Sequence, residues 1–355
     1  MNIFRKLGRL ADPHRRAEAF ATIGLFGLLL WQRIFCWLTR RKLIIVVLLE
    51  QLGDIVACQP VAAYLRSQYP RSRLIWICKP KYKDLLRFDP DVDLVATVPC
   101  LMSWMRLRKW RFGDRQVNLN IPGRGCADCG GCGDDESLDP AVTWENFLSA
   151  GGLLSAFCRA AGLPPLSDGP KLYFPNVIRQ KIESWKLPKQ YIVLHCCSLD
   201  PAKDWGPEKW KTLAQVVHQN FGLTLVEIGL HSALEELGFC DLVNMCSQTS
   251  MLEAAAVIER ATLFIGIDSG PTHLANAVRC PGVVLLGEYG AFKEYLPYTG
   301  FFTEGGATIV RARGPVSSLS VDEVFDAIRD RMRDSASRDL AANPENQSLQ
   351  TAVSG

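Results

Sequence analysis

Apolar positions along the chain fall into short continuous runs separated by stretches of helical spacing. Residues 43–49 form the first run, apolar enough for a strand buried on both faces. Residues 73–78 and 92–98 repeat it, and 116–121 alternate toward a fourth strand. Helical spacing lies between them at 55–68 (despite Pro60), 81–88 and 102–110, with a longer helix expected over 144–161. A Pro-, Ser- and Gly-rich stretch, 162–173, then reads as a linker. After it a helix is expected at 177–185 and strands at 191–197, 223–229, 242–246, 262–267 and 283–286. Helices are expected at 251–261 and 273–278, and an amphipathic helix at 321–332 closes the series. Strands alternating with helices at this spacing predict βαβ units and parallel sheets. The pattern occurs twice, so the fold class is α/β with two similar halves, residues 43–175 and 176–333. The tail 334–355, rich in Ser, Ala, Asn and Gln, is expected to be disordered.

The N-terminal 42 residues follow a different rule. Residues 1–16 are basic (Arg5, Lys6, Arg9, Arg15, Arg16), 19–31 are apolar, Gln32 and Arg33 interrupt, and 34–38 resume before Arg40, Arg41 and Lys42. The unbroken run is short for a spanning helix, which needs about 20 residues. No small-residue cleavage site follows, which argues against a removable signal peptide. Apolar and aromatic residues between basic clusters suit a helix at 19–38 lying in an anionic membrane interface. A tilted anchor with Arg33 snorkelling, and a helix packed on the soluble body, are the alternatives.

Composition narrows the picture further. A chain of 355 residues with 48% apolar content supports two sizeable cores, and a net charge of +3 gives no argument for a nucleic-acid partner. Thirteen scattered cysteines, including adjacent Cys196 and Cys197, suit a reducing compartment better than a disulfide scaffold. Cys126, Cys129 and Cys132 form Cys-x-x-Cys-x-x-Cys in a Gly-rich loop at 122–136. Thiolates at this spacing suit a structural Zn²⁺ or an iron–sulfur cluster, with Cys100 or Cys158 as a fourth ligand. Free thiols or a redox pair are the alternatives.

Three segments carry candidate chemistry. In 261–287 a buried strand breaks at Asp268, Ser269 and Gly270, and Pro271 opens a helix containing His273. Ligands of parallel α/β sheets bind at this end of a strand, where a helix N-terminus favours a diphosphate. A plain N-cap by Asp268 or Ser269 is the alternative. Asp54 follows Gly53 at the end of the first strand, where a helix N-terminus would keep its carboxylate ionised, as a base requires; an N-cap is the alternative. After the strand at 191–197, with His195 as site or core residue, come Ser198 and then Lys203 and Trp205. Lys203 is a point charge suited to a phosphate.

These segments together resemble glycosyltransferase family 9, the heptosyltransferases and their relatives. Asp-Ser-Gly-x-x-His-x-Ala at 268–275, with a following strand that ends Leu-Gly, is similar to its C-terminal signature. Leu-Gly-Asp-Ile-Val at 52–56, then Pro60 and Tyr69-Pro70, is similar to its N-terminal motif, and Lys203-x-Trp205 to its Lys-x-Trp segment. The resemblance implies a GT-B arrangement, two facing Rossmann-like domains with the acceptor in the first and a nucleotide sugar in the second. It implies inverting transfer with Asp54 as base. The donor would be held by Ser198, Lys203, Asp268, Ser269, Gly270 and His273, with Glu235 on the ribose. No cofactor is required for catalysis. The implied donor is ADP-heptose-like, and the implied acceptor a lipopolysaccharide-core or other lipid-linked saccharide. The implied location is the cytoplasmic face of a bacterial inner membrane. Glu50 is a departure, because the family often has a basic residue shortly before the glycine; recognition of an anionic acceptor then differs. A nucleotide-sugar epimerase and a non-catalytic membrane-bound binding protein are the rival functions.

Overall fold

The computed structural model describes residues 13–126, 128–131, 137–234 and 241–342. It divides into two compact units. The first runs to Asn176 and takes back Glu294–Gly300; the second comprises Val177–Lys293 and resumes at Phe301.

Helix α1, Pro13–Leu38, precedes the first sheet. Strands β1 (Leu43–Val47), β2 (Arg73–Cys78), β3 (Leu94–Thr97) and β4 (Arg115–Asn118) are all parallel, in the order β3-β2-β1-β4. Every residue of β1 is buried, as its unbroken apolar run requires. Helices α2 (Leu52–Ala57), α3 (Pro60–Gln68), α4 (Lys83–Arg87), α5 (Leu101–Leu107) and α6 (Leu153–Ala160) complete this unit. The single helix expected over 55–68 is therefore two. Pro60 lacks an N–H and cannot continue a helix, but it serves as the first residue of a new one. The long helix expected over 144–161 is also corrected: only its last part is helical, because Gly151 turns left-handed at φ +105° just ahead of α6.

The second unit holds β5 (Tyr191–His195), β6 (Thr224–Glu227), β7 (Leu242–Asn244), β8 (Leu263–Ile267), β9 (Gly282–Leu286) and β10 (Ala307–Arg311). These are parallel in the order β10-β9-β8-β5-β6-β7. Its helices are α7 (Asn176–Ser184, opening at the unit boundary), α8 (Pro207–Phe221), α9 (Met251–Glu259), α10 (Gly270–Ala277) and α11 (Val321–Ala342). The core centres on Ile192, Leu194, Leu263, Ile265, Ile267, Val283 and Leu285, with Trp205 and Trp210 edge to face at 5.0 Å. Helix α11 runs on through Ala342, so the expected disorder from 334 begins too early; Ala, Arg and Leu there favour helix. Residues 343–355 lie outside the described residues.

Two connections were not legible as sequence patterns. The segment Glu294–Gly300 returns to the first unit, where Leu153 N–H donates to Pro297 O at 3.1 Å and Gly300 lies against Gly169. Strand β10 was not anticipated; it extends the sheet beyond β9 with its residues only partly buried.

Candidate active site

In each sheet one strand has neighbours reached by connections running in opposite directions. That switch point lies between β1 and β4 in the first unit and between β5 and β8 in the second. The candidate residues gather at the carboxyl ends of these strand pairs.

In the first unit Asp54 sits in the first turn of α2, immediately after β1. Its Oδ2 accepts the Gln51 N–H at 3.0 Å, so the residue does cap its own helix. The same oxygen accepts from Arg124 Nη1 at 3.2 Å. That guanidinium nitrogen also reaches Glu50 Oε2 at 2.9 Å, and the Arg124 plane lies over the Trp144 ring at 4.5 Å. Glu50 and Asp54 are thus two buried carboxylates bridged by one arginine, at 7% and 8% exposure. Burial pushes the Glu50 carboxyl up to about 7; Arg124 opposes this, and the Asp54 charge adds to it. A basic residue in place of Glu50 would have left Asp54 with two cations. Here the cation comes from the loop after β4, and Asn120 of that loop accepts the Leu49 N–H at 2.8 Å, tying the two strand ends together.

The cysteine loop borders this cluster. Cys126 is buried and its thiol is pushed down to about 4 by a hydrogen bond from the Cys100 thiol, with N–H groups of Leu101, Asp128 and Cys129 assisting. Cys100, at the N-cap of α5, is correspondingly raised. It also lies within hydrogen-bond reach of Cys129. Of the two fourth ligands weighed from sequence, Cys100 is therefore at the loop. Cys158 is buried in α6, where its neighbour is Cys58. Cys132 lies outside the described residues, and among the described residues no three Cys, His, Asp or Glu side chains are set to hold a metal ion. The described cysteines are all free thiols. Buried Lys79 contacts Asp128 of the loop at 2.6 Å.

In the second unit Lys203 and Asp268 meet: Nζ to Oδ2 is 2.8 Å, across the β5 and β8 strand ends. The Lys203 ammonium also lies 4.4 Å from the Tyr289 ring centroid, in the loop after β9. The Lys203 loop is braced from below. Trp205 Nε1 donates to Leu319 O at 2.9 Å, and Trp210 is fully buried, so the tryptophans of the Lys-x-Trp segment are core anchors. Ser198 folds the same loop: its hydroxyl donates to Asp200 O at 2.7 Å and its N–H donates to Asp204 Oδ1 at 2.8 Å. Ser269 stands at the N-cap of α10, yet its side chain makes no capping bond and its buried hydroxyl has no partner. Gly270 is the first residue of α10 and His273 lies buried on it. Burial lowers the His195 pKa and so keeps its ring neutral; Nδ1 lies 3.0 Å from Ile228 O, which makes it a residue that joins β5 to β6. Glu235 lies outside the described residues. The loop leading to it is held by Glu227, whose carboxylate accepts from Ser232 Oγ and from the Ala233 N–H at 2.7 Å.

Sequence reasoning missed Arg124, Trp144, Tyr289 and Glu227, and met Glu50 only as a departure. Trp144 lies far from any motif, Arg124 stands in the cysteine loop, where only the thiols drew a reading, and a Glu inside an apolar strand (Thr-Leu-Val-Glu) was the one available signal for Glu227.

Two parallel-sheet units, each with polar residues at its switch point, give the α/β architecture of GT-B type. Comparison with known proteins agrees. Residues 173–294 match the model of glycosyltransferase family 9 (heptosyltransferase). A lipopolysaccharide core heptosyltransferase, OpsX of Haemophilus influenzae, is 22% identical over 292 residues, covering 72% of this chain and 82% of the relative. The family 9 glycosyltransferase structure from Veillonella parvula superposes with a TM-score of 0.64 at 16% identity, covering 82% of this chain and 97% of that one. The structure of E. coli heptosyltransferase WaaC with ADP-2-deoxy-2-fluoro heptose gives 0.54 at 16% identity, covering 81% and 99%. The chain is a glycosyltransferase, and the family it resembles is family 9, the heptosyltransferases.

Proposed function

We propose that the chain transfers a heptose-like sugar, with inversion, from an ADP-heptose-like donor to a lipopolysaccharide-core or other cell-surface saccharide. The observation that carries this reading is the meeting of Lys203 and Asp268 at 2.8 Å beside the uncapped start of α10. A diphosphate arriving there replaces Asp268 as the partner of Lys203 and faces the helix N-terminus. The freed carboxylate is then available to sugar or ribose hydroxyls. The OpsX and WaaC names support the donor and acceptor classes.

In this mechanism Asp54 takes the proton from the acceptor hydroxyl as that oxygen attacks the anomeric carbon. The bond from that carbon to the diphosphate breaks through an oxocarbenium-like transition state. Charge growing on the departing diphosphate is stabilised by Lys203 and by backbone N–H groups at Ser269 and Gly270. Arg124 holds Asp54 in place and, with Glu50, sets the charge of the acceptor pocket. No cofactor is required for this chemistry. The acceptor is lipid-linked, and the enzyme works at the cytoplasmic face of the inner membrane; the apolar α1 supports that placement.

The test is incubation with a panel of nucleotide sugars, with and without a saccharide acceptor. Acceptor-dependent release of nucleoside diphosphate together with an inverted glycoside is expected. Donor conversion without acceptor would instead indicate an epimerase, and no turnover with any pair would indicate a binding protein.

A further inference from the structure

A helix packed on a soluble body turns a polar stripe to water. Helix α1 does not. Its inward stripe, including Leu25, Leu29 and Cys36, is buried against the first unit. Its outward stripe is also apolar: Phe20, Ile23, Leu30, Trp31, Ile34 and Trp37 share one side of the helix, with exposed Gly27 between Ile23 and Leu30, and are 42–76% exposed. At about 1.5 Å per residue the stripe is about 27 Å long. Apolar patches of this extent mark interaction sites.

The inward face shows how the helix lies. Two polar residues there are held by the first unit: Glu18 by Arg106 at 2.6 Å, and Gln32 by Arg73 at 3.1 Å. Protein runs along one side from Glu18 to Cys36. A spanning helix sheathed in lipid could not keep these contacts, so any bilayer meets α1 from the side.

A second element continues the stripe. After α5 the chain makes a tight turn, Arg108–Trp110, and reverses at Arg111 with φ +45°. Trp110 is 58% exposed, and its ring stands edge-on to Phe26 of α1 at 5.3 Å. Arg106, Lys109 and Arg111 around it are exposed, and no acidic residue interrupts 105–112. Exposed indoles beside basic side chains match the headgroup region of an anionic leaflet.

We propose that the outward stripe of α1 and the 106–111 turn form one platform that seats the first unit on an anionic bilayer surface, with α1 in the plane of the interface. This deepens the membrane placement given above and rests on it. A second copy of the chain fits less well. A two-fold contact through this face would set Lys109 and Arg111, beside Trp110, near their own symmetry mates, where like charges repel.

The experiment is co-sedimentation of the full chain with vesicles of phosphatidylcholine, alone or with phosphatidylglycerol. The variants are Lys109→Gln/Arg111→Gln, Trp110→Ala and Trp31→Ser/Trp37→Ser, with Lys189→Gln as a control on the second unit. Thermal shift with ADP confirms that each variant is folded. Wild type should prefer phosphatidylglycerol vesicles and lose binding as salt is raised. Each basic residue removed should cost about fivefold in partitioning, so the double Gln variant about 25-fold. Trp110→Ala and the tryptophan pair should weaken binding to both vesicle types, and Lys189→Gln should not. Turn variants that bind as wild type would overturn the platform and leave α1 as the anchor. A wild-type chain that binds neither vesicle would overturn the membrane placement as well. A detergent-free dimer dissolved by Trp31→Ser/Trp37→Ser, without vesicle binding, would assign the face to self-association and overturn the proposal.

Discussion

Glu50→Gln tests the electrostatics of the Glu50–Arg124–Asp54 cluster most directly. Glu50 is 7% exposed, and burial raises its carboxyl from the usual 4.5 to about 7 even with Arg124 at 2.9 Å. The nearby Asp54 and Cys126 charges push the same way, while Lys79 and Arg124 oppose them. Between those two pH values the folded protein binds a proton that the unfolded chain has released. Stability therefore falls as pH rises through this window, the reverse of the usual carboxylate case. At about 1.4 kcal/mol per pH unit, the interval corresponds to about 3 kcal/mol, fully lost above pH 7. Gln keeps the shape and can still accept from Arg124, but it carries no charge to bury. Relative to wild type, Glu50→Gln should be stabilised by up to about 3 kcal/mol at pH 8, with the gap vanishing near pH 4.

The assay is denaturant unfolding of both proteins at four pH values from 4 to 8, taking the difference at each so that other titrating groups cancel. A variant less stable than wild type at pH 8, or a gap independent of pH, would refute the reasoning. It would mean that Glu50 is held ionised by Arg124 at no net cost. The same variant speaks to mechanism: with Asp54 as the base, Glu50→Gln should keep turnover within about tenfold, below the range for loss of a general base.

Asp54→Asn should retain donor affinity and lose about 10²- to 10⁴-fold in single-turnover rate; near-normal turnover would remove Asp54 as base. Lys203→Ala should weaken donor binding and also slow the chemical step, since the charge on the diphosphate grows toward the transition state; titration beside rapid-quench kinetics separates the two. Gly287→Ala would place a Cβ 2.2 Å from the Val316 backbone nitrogen, and unfolding should show a loss of at least 1–3 kcal/mol, roughly. The Cys126 thiol, lowered by its hydrogen bond from Cys100, should be alkylated ahead of the thiols of Cys78 and Cys158, which burial raises; peptide mapping across a pH series reads the order. If Cys132 completes a metal site with this loop, anaerobically purified protein carries near-stoichiometric zinc or iron that Cys126→Ser lacks.

The architecture could be read ahead because it rests on local rules. Unbroken apolar runs such as 43–47 and 263–267 are buried parallel strands, and the small polar residues after them fall at switch points. Pro60 was visible as a breaker, but its effect depended on whether the chain restarted a helix, which it did at once; Gly151 stands inside a stretch that reads as helix, and its left-handed φ puts the start of α6 just beyond it. The site was half legible. Residues that follow a strand directly, Asp54 and Asp268, carry their position in the sequence. Their partners do not: Arg124 lies 70 residues from Asp54, and Lys203 lies 65 from Asp268. Pairings at such separations are decided by which strands become neighbours, and no short motif records strand order. Ser198, proposed as a donor ligand, has a second role that its place at a strand end does not reveal: its hydroxyl bonds within the turn that presents Lys203.

Helix α5 joins the two features that the proposed function assigns to the acceptor. Its N-cap is Cys100, packed on the cysteine loop beside Glu50 and Asp54, and its C-terminal end leads into the basic turn with Trp110. Seven residues at about 1.5 Å each make it about 10 Å long. Its inward side, Leu101, Trp104 and Leu107, is buried with α1 in the same core cluster. The carboxylate pair and the proposed platform are thus connected by one short, packed element within a single unit. With a lipid-linked acceptor and Asp54 as the base, as proposed above, a rigid spacer of about this length would set the height of that base over the bilayer. Lengthening α5 by one helical turn, about 5.4 Å, should then impair transfer to a vesicle-embedded acceptor and spare transfer to the same saccharide released from lipid. Equal loss on both acceptors would show that α5 supports the site alone and that the platform does not set its height.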